Sequence, residues 1–267
     1  MTAHGPRESH ACVAHRGWSG KAPENTLAAF RMALSEPSIR WIELDVRLSK
    51  DGVPVVIHDP TLSRTTDGRG RVADRTAREL ARLDAGGWFH PSFAGEPVPQ
   101  LEEVLALAAG RCRLNIELKT DETERDAIER LARVTADVLK AMRLTEEVVV
   151  TSADPVCLGD LRWHAPDLRI GLVAKTYVPG LAGILRKRGM SFLSLAHRRL
   201  NAVALAECAR HGVDVMAWTV NRPRDLARLA AMPEPFLLCT NHPDRWLAAV
   251  RRHAAAGIRS CAEQTAP

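Results

Sequence analysis

Among the 267 residues, two histidines (His15, His58), three carboxylates (Glu43, Asp45, Glu117) and two cations (Arg16, Lys119) stand at or near the ends of apolar, strand-like runs. That inventory suits metal-assisted cleavage of a phosphate ester. Glu43 and Asp45 lie two apart on one strand, so both point to the same face. Two carboxylates about 4 Å apart repel by about 4 kcal/mol at an effective dielectric of about 20. A proton, a cation or water must compensate. A divalent metal does so directly, and Glu117, at the end of another strand, would add a third oxygen. A set of carboxylates without cysteine or clustered histidine favours one hard divalent cation, Mg²⁺ or Ca²⁺, over zinc. The competing reading pairs Glu43 and Asp45 with arginines, and spacing alone leaves both open.

His15 and His58 follow apolar strand residues, so each stands where a strand delivers it to a site. Two histidines across a site can divide acid and base duties, one activating the nucleophile and the other protonating the leaving oxygen. Arg16 offers a planar, permanently charged fork suited to phosphate oxygens. Lys119 faces the same way as Glu117 and can bind a phosphate oxygen or simply neutralise that carboxylate. Pro23-Glu24-Asn25-Thr26 opens a helix expected over Thr26–Ser35. Glu24 or Asn25 near its cap is the ordinary role, and Asn25 reaching the site is the sharper one. Trp218, at the end of a late strand, either walls a pocket or packs in the core.

Positioning these groups falls to an alternation of short apolar runs and amphipathic stretches. Strands are expected at Cys12–Ala14, Trp41–Val46, Val53–Ile57, Arg113–Leu118, Val148–Thr151, Arg169–Val173, Phe192–Leu195, Val213–Trp218 and Phe236–Thr240. Helical patterns such as Thr123–Met142, Pro155–His164, Asn201–His211 and Arg222–Ala231 lie between them, which implies parallel βαβ units. Only the link between Val46 and Val53 lacks a helix; its Asp51-Gly52 reads as a two-residue hairpin turn that would set Asp45 opposite His58. Setting the hairpin strand aside leaves eight parallel strands, the number of a closed (β/α)8 TIM barrel. The single domain is expected over residues 11–256. Residues from about 60 to 99, with little strand or long-helix pattern, read as a small subdomain inserted above the barrel mouth. The segment after Gly257 reads as frayed.

Composition narrows the function. Lys and Arg total 37 against 32 Asp and Glu, a net charge of +5 spread along the chain. Nucleic-acid binding leaves a stronger basic stripe interleaved with aromatics, so that partner is not expected. A mild positive balance fits a small anionic substrate and equally a solvated surface. The six cysteines contain no C-x-x-C pair and read as free thiols. The polar first ten residues show no secretory signal, and no apolar run reaches the roughly 20 residues that span a bilayer. These features lead to the expectation of a cytoplasmic protein; they do not address its oligomeric state.

Taken in order, His15-Arg16-Gly17, Pro23–Thr26, Glu43-Leu44-Asp45, Asp51–Asp59, the Thr65–Gly70 segment, Pro99–Glu103, Ile116–Lys119 and Trp218–Asn221 resemble the glycerophosphodiester phosphodiesterase family, of the bacterial type within the PLC-like phosphodiesterase superfamily. Each piece is short; the ordered set, spread over nearly the whole chain, is specific. The resemblance implies a TIM barrel with an insertion after the hairpin, and a divalent metal on Glu43, Asp45 and Glu117. It implies His15 and His58 as the acid–base pair, with Arg16 and Lys119 at the phosphate. The reaction implied is hydrolysis of a glycerophosphodiester to sn-glycerol 3-phosphate and an alcohol. Lysophospholipase D activity is the alternative within the superfamily, with Trp88, Phe89 and Phe93 of the insertion lining an acyl groove or packing its own small core. A binding module without catalysis would have lost at least one of the five metal and histidine residues, and all five are present. One departure stands out. The last strand in this family typically ends in Thr-Asp, and here it reads Thr240-Asn241, where an amide carries no charge.

Overall fold

The computed structural model describes residues 10–121 and 124–264 of the chain. Nine strands form one sheet: β1 (Cys12–His15), β2 (Trp41–Leu48), β3 (Pro54–Val56), β4 (Arg113–Leu118), β5 (Val148–Ser152), β6 (Ile170–Ala174), β7 (Phe192–Ala196), β8 (Asp214–Trp218) and β9 (Leu237–Thr240). β1 pairs in parallel with both β2 and β9, which closes the sheet, while β3 hangs from β2 as an antiparallel partner. Eight parallel strands remain. This is a TIM barrel, as expected from the strand count.

Around it run α1 (Leu27–Leu34), α3 (Leu101–Ala108), α4 (Arg125–Ala141), α5 (Pro155–His164), α6 (Leu181–Lys187), α7 (Ala202–Arg210), α8 (Pro223–Ala230) and α9 (Pro243–Gln264), with the short α2 (Ala77–Leu80) in the insertion. α4 shows why these segments are helical. Its buried Ile128, Leu131, Ala132, Thr135, Ala136 and Leu139 recur at three- and four-residue intervals and form one stripe against the sheet. Thr123, where this helix was expected to begin, lies outside the described residues, as do the first nine residues, on which most of the signal-peptide reading rests. α9 runs on through Gln264 rather than fraying after Gly257. One glycine among good helix formers is not enough to stop it.

Alternation along the strands separates two apolar layers. Ile42, Leu44, Val46, Leu114, Ile116 and Leu118 face outward into the helix layer. Val13, Trp41, Val149, Phe192, Met216 and Cys239 fill the barrel axis. Trp41, Glu43 and Asp45 share the inward phase of β2, and Glu117 has the inward phase of β4. The carboxylates therefore stand on top of the packed axis.

The hairpin departs from the expected register. Val46 pairs with Val56, Arg47 with Val55 and Leu48 with Pro54, and Ile57 N–H donates to the Asp45 carbonyl at 3.0 Å. Asp45 is thus opposite Ile57, not His58. The loop has three residues, Lys50 to Gly52, closed by Gly52 N–H on the Ser49 carbonyl (2.9 Å) and Ser49 N–H on the Val53 carbonyl (3.0 Å). Gly52 takes φ +82°, the left-handed residue of a bulged turn, and this adds the residue that shifts the pairing. His58 still reaches the site because the chain leaves the ladder after Ile57, where Arg47 Nε holds the His58 carbonyl at 2.7 Å.

The expected insertion, residues 60–99, contributes Leu62, Val72, Ala77, Leu80, Ala85 and Val98 to a small core shared with Val55 and Ile57 of the hairpin. Its aromatics pack on one another edge to face, Trp88 on Phe89 (5.7 Å) and Phe89 on Phe93 (5.8 Å). No helix among the described residues is long and apolar enough to cross a membrane.

A Cβ at position 52 would meet both the left-handed backbone penalty and the Arg130 guanidinium. Gly52→Ala is expected to lower stability by about 1–2 kcal/mol, read as a lower urea midpoint at unchanged slope.

Candidate active site

Strand register decides which side chains meet. In the β1–β2 ladder His15 is the direct partner of Glu43, and in the β2–β4 ladder Asp45 is the direct partner of Glu117. Oxygens of Glu43, Asp45 and Glu117 come within 4.8 Å of one another. Glu43 and Asp45 are buried, and all three residues stand at the C-terminal end of the barrel, where its loops gather.

Two loops wrap this trio. After His15 the chain turns at Arg16, which adopts φ +56°, and it turns again at Asn25, with φ +58°. The first turn aims the Arg16 N–H at Glu43 Oε2 (3.0 Å) and its Nη1 at Glu24 Oε1 (2.7 Å), and brings Nε to 3.0 Å from Asp45 Oδ2 as an ion pair without a hydrogen bond. Asn25 N–H donates to the Arg16 carbonyl (3.0 Å), and Asn25 Nδ2 donates to Asp45 Oδ2 (2.9 Å). The α1 cap falls to Thr26, whose hydroxyl oxygen accepts from Ala29 N–H (3.3 Å). Glu24 and Asn25 are thereby free to serve the mouth. Asparagine tolerates the left-handed region, whereas arginine enters it only where its surroundings compel it.

On the other side, Lys119 Nζ donates to Glu117 Oε1 (2.8 Å) and lies 3.9 Å from Asp45. His58 Nδ1 is bound to Asp59 Oδ1 (2.6 Å). Arg64, from the insertion, makes two bonds to Asp59 and two to Glu24. A chain of alternating charge thus runs Asp45, Arg16, Glu24, Arg64, Asp59 and ends on the His58 ring. His15 Nδ1 lies 2.6 Å from Asn241 Oδ1, with its Nε2 3.8 Å from Glu43. Trp218, at the end of β8, packs partly buried against the axial layer, and its Nε1 has no partner among the described residues.

The electrostatics are uneven. Burial, then the charges of Asp45 and Glu117, push Glu43 well above the ordinary carboxylate range. Burial and Asp45 also raise Glu117, against the pull of Lys119. Asp45 goes the other way: burial would raise it, but Arg16, then His58, Lys119 and His15, hold it down at about 2. Burial, then Arg16, lowers His15 to about 4. Among the described residues two cations, Arg16 and Lys119, face three carboxylates, and the uncompensated charge falls on Glu43. An all-oxygen donor set short of one positive charge fits a hard divalent cation. Cys239 and His15 also approach Glu43 within 4.8 Å, but burial pushes the Cys239 thiol far up, away from the thiolate a metal needs.

All nine residues singled out from the sequence stand at this end of the barrel, with Trp218 farthest from the carboxylates in bonding terms. The sequence reading assigned no place in the site to Asp59 or Arg64, gave Glu24 only a capping role, and noted Asn241 only as a departure from the family pattern. Asp59 had a signal in its adjacency to His58, and Asn241 in its place at the end of the last strand. Arg64, in a stretch without periodicity, had none.

Comparisons with known proteins bear on the same residues. Residues 15–245 match the model of the glycerophosphoryl diester phosphodiesterase family. The glycerophosphodiester phosphodiesterase of Caldanaerobacter subterraneus is 39% identical over 222 residues, 81% of this chain and 88% of that protein. A phosphodiesterase of Oleispira antarctica, solved in complex with the product sn-glycerol-3-phosphate, is 28% identical and superposes with a TM-score of 0.81 over 91% of this chain and 97% of that one. The glycerophosphodiester phosphodiesterase of Agrobacterium tumefaciens is 30% identical, with a TM-score of 0.77 over 90% of this chain and 99% of that one.

Asn25→Ala removes a charge-assisted bond worth about 1.5–3 kcal/mol, together with the longer one that Asn25 Oδ1 accepts from Asp45 N–H, and adds a left-handed penalty of about 1–2 kcal/mol. Asn25→Gly removes the two bonds alone. Urea unfolding is expected to rank wild type above Asn25→Gly above Asn25→Ala, and equal losses in the two variants would show that the backbone conformation costs nothing.

Proposed function

The chain belongs to the glycerophosphoryl diester phosphodiesterase family, and on that premise we propose that its barrel mouth hydrolyses glycerophosphodiesters to sn-glycerol 3-phosphate and an alcohol. One observation carries the reading. Parallel register sets His15 beside Glu43 and Glu117 beside Asp45, so a histidine and three carboxylates meet at one end of the barrel, the set the proposed reaction calls for.

Glu43, Asp45 and Glu117 would hold one divalent cation, Mg²⁺ or Ca²⁺. When bound, such an ion supplies Lewis-acid stabilisation of charge on the phosphoryl oxygens. The chain's own residues do the rest. Arg16 spends Nη1 on Glu24 and Nε on Asp45, which leaves Nη2 for a phosphate oxygen. Lys119, tied to Glu117, offers its remaining protons to a second oxygen. Each is held by a carboxylate, so each charge is oriented before substrate arrives. His15 and His58 both have Nδ1 engaged by an oxygen, so their Nε2 atoms are the ones available to the reaction. One takes the proton of the attacking oxygen as the new P–O bond forms, and the other gives a proton to the alcohol oxygen as the old P–O bond breaks; water enters either in that step or, where a substrate hydroxyl attacks first, by opening the resulting cyclic phosphate. Trp218 supplies an aromatic wall beside the polar cluster.

The test is release of sn-glycerol 3-phosphate from glycerophosphocholine and glycerophosphoethanolamine. EDTA and Glu43→Ala are each expected to abolish it, with Mg²⁺ or Ca²⁺ restoring the EDTA-treated wild type only. His15→Ala and His58→Ala are each expected to lower kcat by about 10²–10⁴-fold. Turnover indifferent to EDTA would remove the metal from the reading. Turnover of lysophosphatidylcholine vesicles but not of glycerophosphocholine would assign the lysophospholipase D alternative.

A further inference from the structure

We propose that Asn241 and Asn221 form a positioning relay that locks His15 in one tautomer, with Nε2 unprotonated and turned toward Glu43. The inference rests on the catalytic reading of His15 above and assigns a role to two residues which that reading leaves unused. The donor–acceptor accounting closes in one direction. His242 N–H donates to Thr240 Oγ1 (3.0 Å), so the Thr240 hydroxyl proton is directed onward to Asn221 Oδ1 (3.2 Å). Asn241 N–H donates to that same Asn221 oxygen (3.0 Å). The backbone of Asn241, just past β9, is thus pinned from the loop that follows β8. From the other side Gly20 N–H donates to the Asn241 carbonyl (2.8 Å). Gly20 can approach this closely because it lacks a Cβ, which would strike the His242 ring and the Asn241 carbonyl oxygen.

Held at both backbone groups, Asn241 presents Oδ1 to His15 Nδ1 at 2.6 Å. An amide oxygen only accepts, so Nδ1 must carry the proton. The Ser19 hydroxyl, bound to the His15 carbonyl at 2.7 Å, steadies the backbone behind the ring. The lone pair is left on Nε2, 3.8 Å from Glu43 Oε2. The two histidines of the site are therefore held differently, His58 by the charged Asp59 and His15 by a neutral amide. Asn241 keeps the oxygen acceptor that the family's usual aspartate would provide and omits its charge, in a mouth already crowded with carboxylates. Asn221 acts one step farther out, through Asn241, and both are positioning residues rather than catalytic ones.

The experiment uses the full chain labelled with ¹⁵N-histidine, with Mg²⁺ present, and His15 assigned by its loss in His15→Gln. Long-range ¹H–¹⁵N spectra are expected to show His15 with Nδ1 protonated in wild type and in Asn241→Asp, and with that preference lost in Asn241→Ala. In parallel, Asn241→Ala should lower kcat by about 10–100-fold with little change in KM. Asn241→Asp, which retains the acceptor, should keep most of kcat, and Asn221→Ala should fall between. An Nε2-protonated His15 in wild type overturns the proposal, as does an Asn241→Ala variant whose tautomer and kcat match wild type. A loss of thermal stability without a change of tautomer would make the role merely structural and overturn it too. Should His15→Ala itself leave kcat unchanged, the catalytic reading of His15 fails, while the tautomer spectra still judge the relay on their own.

Discussion

Mutual repulsion of Glu43, Asp45 and Glu117 is the constraint around which the mouth of this barrel is arranged. Three carboxylate oxygens within 4.8 Å, two of the three residues buried, cannot all remain ionised without compensation. The chain compensates unequally. Asp45 has the Arg16 guanidinium beside it and a bond from Asn25 Nδ2, Glu117 has Lys119, and Glu43 has only the Arg16 backbone N–H. The shortfall at Glu43 leaves the cluster able to hold a cation rather than closed as a finished ion-pair network. Buried ion pairs seldom add net stability, because desolvation offsets their attraction. What this arrangement gains is orientation: Arg16 and Lys119 are each already anchored to a carboxylate.

Anchoring has a backbone cost. Arg16 and Asn25 both occupy the left-handed region, and Asn25 N–H on the Arg16 carbonyl ties the two strained turns to each other. Such conformations cost on the order of 1–3 kcal/mol each and persist where the surroundings over-determine them. Here the surroundings are two packed layers. The axial layer of Val13, Trp41, Val149, Phe192, Met216 and Cys239 supports the carboxylates from below, and the larger helix-facing core fixes the strands that carry them. Burial of apolar surface at roughly 25 cal/mol per Å² offsets the local strain many times over.

The insertion is part of the same device. Its small core shares Val55 and Ile57 with the hairpin, so it is seated on the strand that delivers His58. From there Arg64 reaches Asp59, which holds His58, and Glu24, which holds Arg16. One exposed arginine thus joins the His58 side of the mouth to the Arg16 side. Arg47 makes a similar link lower down, binding the His58 carbonyl and Asp121 at the end of the β4 loop.

By itself, the sequence determined the architecture and the family, and it picked out residues that gather at the barrel mouth. Period-two apolar runs separated by amphipathic helices count out the barrel, because strand and helix periodicities are local properties. The types and strand phase of Glu43, Asp45 and Glu117 mark an inward carboxylate set for the same reason. Tertiary structure decided who touches whom. One left-handed glycine shifted the hairpin so that Asp45 faces Ile57, and a turn signal cannot distinguish a two-residue loop from a bulged three-residue one. The pairing of His15 with Glu43 and of Glu117 with Asp45 depends on the stagger between strands separated by whole helices, which no local pattern encodes. Asn241 meets His15 across 226 residues only because the barrel closes β9 onto β1. Closure is a property of the whole sheet, and its contacts exist only once all eight strands are in place.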